Sequence, residues 1–248
     1  MTEQKLNLAS KELTQLPNIF KYHSLKILCC TDNYLTTIHN LPTSLKELYC
    51  DNNKLITAEF PPNLEVLICD RNNFTQLDNL PATLKILCCS NNSINKLDNL
   101  PPNLQILNCS GNNISELNNL PASLIECKCD YNKLTQCDNL PHGLKILNCS
   151  YNSIQYLDNL PYSLQELHCC HNEITQLDNL PPYITIINCS FNDITHLNNL
   201  PENIELLYCY NNPISELQNL PNKIRILYCY NTNITNYENI HKSIKIIN

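Results

Sequence analysis

LKILCCSNNSINKLDNLPPN, residues Leu84 to Asn103, decides the reading of the whole chain. Reduced to its recurrent positions it is L-x-x-L-x-C-x-x-N-x-I-x-x-L-x-N-L-P-x-x. Pro81, Pro101, Pro121, Pro141, Pro161, Pro181, Pro201 and Pro221 fall 20 residues apart and mark its return. Self-similarity at so short a period indicates a repeat architecture, and it overrides the one or two globular domains that 248 residues would otherwise suggest.

Working outward, full repeats begin at Leu25, Leu45, Leu64, Leu84, Leu104, Leu124, Leu144, Leu164, Ile184, Ile204 and Ile224. The second is one residue short, with Ala58-Glu59-Phe60-Pro61 at its end. Residues 1–24 read as a degenerate N-terminal cap: Leu6, Leu8, Leu13 and Leu16-Pro17 echo the pattern, but Lys11 stands where Asn belongs and Asn18 to Ser24 is irregular. Residues 25–248 read as one continuous domain of eleven full repeats and a partial last one, begun by Ile244 and Ile247. A lone repeat buries too little to offset its ordering entropy, so neighbours must stack to form a core. With no polar cap at the end, the last strand leaves an open sheet edge, an association hazard unless a subunit covers it.

Within a repeat, Leu84 to Cys89 alternates as a short strand with Leu87 and Cys89 inward. The Asn at the ninth position (Asn92, Asn112, Asn132, Asn152) follows where the chain must turn, and its amide is suited to bond otherwise unsatisfied main-chain groups. Thr232 interrupts that series. The ten residues of the back, with Pro disfavouring α conformation in the preceding Leu, predict extended, polyproline-like or short 3₁₀ segments and little α-helix. Eleven of the 16 cysteines occupy one repeat position: Cys30, Cys50, Cys69, Cys89, Cys109, Cys129, Cys149, Cys169, Cys189, Cys209 and Cys229. Stacked strands lie about 4.8 Å apart, farther than the β-carbon separation a disulfide needs, about 3.8 Å. Reduced cysteine acting as a small buried hydrophobe is expected.

A net charge of −7, with 16 Lys and Arg and no basic run, argues against nucleic acid. The first residues carry no apolar signal segment, and no stretch approaches a membrane span, so a cytoplasmic protein is expected. Two glycines could scarcely build a phosphate loop. No nucleophile–base–acid set is discernible, and Asp51 with Asp70 reads as solvated surface. The expectation is a protein that is no enzyme and carries no cofactor.

The motif L-x-x-L-x-C-x-x-N-x-I, repeated eleven times with Thr for Asn once and Cys127 for Leu once, resembles that of leucine-rich-repeat proteins. The 20-residue period and L-P back segment resemble the short repeats of secreted bacterial effectors. The Asn- and Ile-heavy D-N-L-P junctions resemble leucine-rich-repeat proteins of giant amoeba viruses such as mimiviruses. The resemblance implies a curved solenoid, mostly β within the α/β leucine-rich-repeat class, with a parallel sheet on a concave face used mainly for protein–protein recognition. Some bacterial effectors are ubiquitin ligases through a separate catalytic domain after their repeats, and the repeat motif itself carries no expectation of that activity here.

The third, fifth, seventh and eighth positions should form the binding face. Early repeats place Asp32, Tyr49, Asp51, Asp70 and Arg71 there, the middle ones Asn108, Ser110, Lys128, Asn148 and Ser150. Later come Tyr131, Tyr151, Phe191, Tyr208, Tyr210, Tyr228 and Tyr230, with Leu206 and Ile226 beside them. Exposed tyrosines with aliphatic neighbours suit an interface hot spot; cross-strand aromatic pairing that only stabilises the sheet is the alternative. The third position is mostly apolar (Ile27, Val66, Ile86, Ile106, Ile146, Ile186) but acidic at Glu47, Glu126 and Glu166. His168-Cys169-Cys170-His171 has metal-ligand residue types without zinc-finger spacing; His168 and His171 are assigned to the partner face and no metal is assigned. The expected partner is a protein, a host protein among the candidates, bound by a monomer or a weak end-to-end oligomer. The alternative is an assembly protein that self-associates through its C-terminal edge.

Overall fold

The structure, a computed structural model, describes residues 4–197, 199–237 and 240–248. The chain divides into two compact units, residues to Ile114 with Asn119–Leu124, and Ser115–Asn118 with Ile125–Asn248. Each is a pile of coils that contributes one short strand apiece to a parallel sheet. In the first unit these strands are β1 (Lys5–Asn7), β2 (Ile27–Cys29), β4 (Glu47–Tyr49), β6 (Val66–Ile68), β7 (Ile86–Cys88) and β8 (Ile106–Asn108). The second holds β9 (Glu126–Lys128), β10 (Ile146–Asn148), β11 (Glu166–His168), β12 (Ile186–Asn188), β13 (Leu206–Tyr208), β14 (Ile226–Tyr228) and β15 (Lys245–Ile247). No α-helix occurs among the described residues. This is a leucine-rich-repeat β-solenoid.

Register sets like above like. Leu67 pairs with Leu87 and Leu87 with Leu107, Leu147 with Leu167 and Leu207 with Leu227. The one-residue-short repeat keeps the pattern, because Glu47 pairs with Val66 and the deficit is absorbed on the back. The first position, the fourth and the cysteine column point inward: Leu84, Leu87 and Cys89 are fully buried, as are Leu164, Leu167 and Cys169. All sixteen cysteines are thiols. Burial pushes Cys30 up to about 12 and holds Cys50, Cys69 and Cys169 well above the usual range. Near neutral pH Cys30, Cys50, Cys69 and Cys169 are un-ionised packing groups.

The ninth-position asparagines close the gap between coils. Asn152 Nδ2 donates to the carbonyls of Cys149 (3.0 Å) and Cys129 (3.1 Å), while its Oδ1 accepts from the Leu134 amide at 2.9 Å. Asn92 repeats the set with Cys89, Cys69 and Phe74. Thr232, in the place of that Asn, donates a short bond to its own Cys229 carbonyl, 2.7 Å. A second ladder runs up the flank before the strands. Thr83 Oγ1 donates to the Leu64 carbonyl at 2.7 Å, and Ser163 Oγ to the carbonyls of His142 and Leu144 at 2.6 Å each.

In most of the described coils two left-handed residues turn the corners. One is the Asn before Leu-Pro (Asn79, Asn99, Asn159, Asn219), with φ between 51° and 57°. Asn tolerates that region because its short side chain bonds locally, which explains the D-N-L-P junction. The other is the eighth position, discussed below.

Extended segments do occur on the back, where β3 (Thr37–Ile38) and β5 (Thr57–Ala58) pair as a separate two-stranded parallel sheet. Two expectations are corrected. The last coil is one residue short, so Ile246 rather than Ile247 lies beside the inward Leu227, and Ile247 joins the outer column beside Tyr228. The seventh position does not always face out: Ser90, Ser150 and Ser190 are buried.

Candidate functional site

The outer sheet face differs between the units. In the first it is acidic. Tyr49 donates to Glu47 at 2.9 Å, and Asp32 accepts from Asn52. Burial, then the negative charges of Asp32 and Asp70, raise the Asp51 carboxyl. At the second position Glu65 lies between Lys46 and Lys85, 2.7 Å from each, and these two ammonium groups hold it down at about 2.

In the second unit the face carries a continuous aromatic strip. Tyr131 stacks on Tyr151 with centroids 4.0 Å apart, Tyr151 on His171 at 4.1 Å, and His171 on Phe191 at 3.9 Å, all within 16° of parallel. The strip then changes column. Phe191 stands at the eighth position of its repeat but Tyr210 at the seventh, so the rings meet edge to face at 5.4 Å and 79°. Stacking resumes from Tyr210 to Tyr230 at 4.3 Å, beside a second stack of Tyr208 on Tyr228 at 4.5 Å. Parallel register dictates these pairs, since Tyr208 lies directly beside Tyr228. Its own hydroxyl hydrogen bond to Tyr131, and then burial, push the Tyr151 phenol up to about 12.

Every residue expected on the partner face is therefore placed. Tyr131, Tyr151, His171, Phe191, Tyr210 and Tyr230 form the strip, Tyr208 and Tyr228 its companion stack. Leu206 and Ile226 are half-buried neighbours in register at the third position. His168 stands apart, 3.8 Å from Glu166. The His168–His171 tetrad is split, with Cys169 in the core and His171 in the ring stack. Among the described residues no group of three or more His, Cys, Asp or Glu is arranged to hold a metal ion.

Backbone geometry sets four strip residues apart. Tyr131, Tyr151, His171 and Phe191 all have φ of 53° or 54°. At the same corner other repeats carry Asp32, Asn52, Asn91, Gly111, Asn211 and Asn231, the types that enter this region most readily, and Arg71 once. A left-handed conformation costs a bulky residue about 1–2 kcal/mol, and a stacked pair returns about 0.5–1.5 kcal/mol. Stacking thus offsets the strain without exceeding it. Yet Tyr131, Tyr151 and Phe191 remain 54%, 37% and 39% exposed.

A further exposed pair was not anticipated. Tyr162 and Tyr183 meet edge to face at 5.2 Å on the flank, Tyr183 occupying the place where the flank ladder elsewhere has Ser163 or Asn203. Its signal was an aromatic at a small-polar repeat position.

Comparison with known proteins places the fold. The chain is similar to YopM from Yersinia enterocolitica WA-314, at 33% identity and a TM-score of 0.86, over 90% of this chain and 50% of that one. It thus spans about half the length of that relative. YopM from Yersinia pestis, a leucine-rich effector protein, matches at 24% identity and a TM-score of 0.81, over 98% of this chain and 88% of that one. The functional domain of InlJ from Listeria monocytogenes, described as including a cysteine ladder, matches at 27% identity and a TM-score of 0.68, over 98% and 52%. No protein-family model and no curated protein matches the chain. The chain is a leucine-rich-repeat protein resembling short-repeat bacterial effectors and internalins, and the viral half of the resemblance finds no support here. No helix among the described residues is long and apolar enough to cross a membrane.

Proposed function

We propose that the chain is a non-catalytic module that holds a protein partner on the sheet face of its second unit, through the strip from Tyr131 to Tyr230 with Tyr208, Tyr228, Leu206 and Ile226 beside it. One observation carries the reading: four consecutive coils keep bulky rings, three of them well exposed, at a left-handed corner where Asn or Gly would be less strained. Strain retained at an exposed site points to a role other than stability. Rigid aromatic edges tipped with hydroxyls give large contact area at low entropy cost, as interface anchors do. The similarity to a leucine-rich effector protein agrees with this reading.

The experiment is affinity capture from cell lysate with wild type beside Tyr131→Asn/Tyr151→Asn/Phe191→Asn. Asn is native to this corner in other coils, so the variant keeps its fold. It is expected to keep its thermal midpoint within a few degrees and to lose the partners. Identical capture by both proteins would sink the proposal.

A further inference from the structure

The back of the first unit carries an opening that the aromatic strip does not share. Lys5 of β1 pairs with Ile27 of β2, 22 residues on, whereas Leu87 and Leu107 are 20 apart. The first coil is therefore two residues longer. Where it passes the next coil, a cleft of about 500 Å³ separates Leu16, Pro17 and Phe20 from Thr37, His39 and Asn40.

One wall of this cleft is a strand edge. β3 has β5 on one side only. The Ile56 amide donates to the Thr36 carbonyl at 3.1 Å and the Glu59 amide to the Ile38 carbonyl at 2.9 Å. Thr36 and Ile38 thus turn their main-chain groups toward β5. Alternation along a parallel strand turns the N–H and C=O of Thr37 the other way, into the cleft. An edge of this kind is a template for another strand, and proteins commonly cover or charge it. Here it is neither: among the described residues no lysine, arginine or carboxylate lines the cleft, and Phe20 at its rim is 55% exposed.

We propose that this edge receives an extended peptide segment with uncharged, partly apolar side chains, added beside β3 as a third strand. The Thr37 amide and carbonyl supply paired main-chain hydrogen bonds, and Leu16 and Phe20 seat one apolar side chain, the division of labour by which strand addition gives affinity and selectivity. The volume suits a short segment rather than a folded domain. With only two residues in β3, binding is weak and depends strongly on each main-chain bond.

The test uses the full chain and a display library of random short peptides, followed by Thr37→Pro and an N-methyl scan of the enriched peptide. Proline removes the amide said to face the cleft and leaves the β3–β5 bonds intact. The expected result is an enriched peptide with alternating apolar residues. Its affinity should fall about tenfold on Thr37→Pro, the loss of one hydrogen bond of upper-range strength, with an unchanged thermal midpoint. N-methylation should abolish binding at every second peptide amide only. Three results would overturn the proposal: no enrichment, binding indifferent to Thr37→Pro and to N-methylation, or a midpoint that collapses on Thr37→Pro because that amide already serves β5.

Discussion

The imidazole of His171 lies flat on the ring of Phe191, centroids 3.9 Å apart and planes 16° from parallel, with Tyr151 on its other face. Burial lowers its pKa, and among the described residues the ion pair involving histidine is His168 with Glu166, not His171. The unfolded chain takes up this proton near the ordinary value of about 6.5, before the folded one does. Stability attributable to His171 is therefore present above that value and falls as pH drops toward the lowered folded pKa, below which the loss stops. Unfolding midpoints at pH 8 and pH 5 should differ more for wild type than for His171→Phe, which keeps the stack without the titration. Equal differences would remove His171 from the acid response.

Asn152→Ala deletes the bonds that tie its own coil to the preceding one: the Leu134 amide loses its acceptor, and the Cys129 and Cys149 carbonyls each lose one of two Asn donors, keeping Asn132 and Asn172. A destabilisation of about 1–3 kcal/mol is expected, the range for buried groups left without partners. Asn95, exposed on the back, is the proper control, since its substitution should stay within about 0.5 kcal/mol. Asn91 is a poorer one, because at φ 53° it turns a corner that Ala enters reluctantly. Urea midpoints for the two alanine variants that coincide would reject the ladder as a source of stability.

Much of this was legible beforehand because a fixed period fixes side-chain direction. Once Leu87 and Cys89 are inward, Leu107 and Cys109 must be, and Asn92 must meet unsatisfied carbonyls. Features that depend on one-residue offsets were not legible. The slip at Ile246 and the column change between Phe191 and Tyr210 both turn on such an offset. The left-handed corners did have a signal, Asn at 79, 99, 119 and 139 before Leu-Pro. Only ring geometry showed that four rings from Tyr131 to Phe191 form one stack that meets the Tyr210–Tyr230 stack edge to face, since adjacency alone does not fix χ angles.

Thiol chemistry should divide the cysteines sharply. Cys29, Cys88 and Cys170 are half-buried and the other thirteen of the sixteen are buried. Burial raises Cys50, Cys69, Cys169 and Cys209 well above the usual range. Because the thiolate is the nucleophile, brief alkylation of the native protein at pH 8 should label only those three positions, and peptide mapping would show it. Rapid labelling of Cys69 or Cys169 would mean that the coils part far more readily than their packing implies.

Ser190 and Ser163 should respond to the same substitution with opposite signs. The Ser190 hydroxyl is fully buried and is the one buried side-chain polar atom without a hydrogen-bond partner among the described residues. Ser163 Oγ reaches the carbonyls of His142 and Leu144, 2.6 Å from each. A buried hydroxyl that makes no bond costs about 1–3 kcal/mol, whereas a satisfied one contributes about 0.5–1.5 kcal/mol. Ser190→Ala should therefore raise the unfolding free energy by about 1 kcal/mol and Ser163→Ala lower it by about as much. Chemical denaturation of both variants decides the matter. A Ser190→Ala variant less stable than wild type would mean that an ordered water serves this hydroxyl, and the opposite signs expected of the two serines would fail.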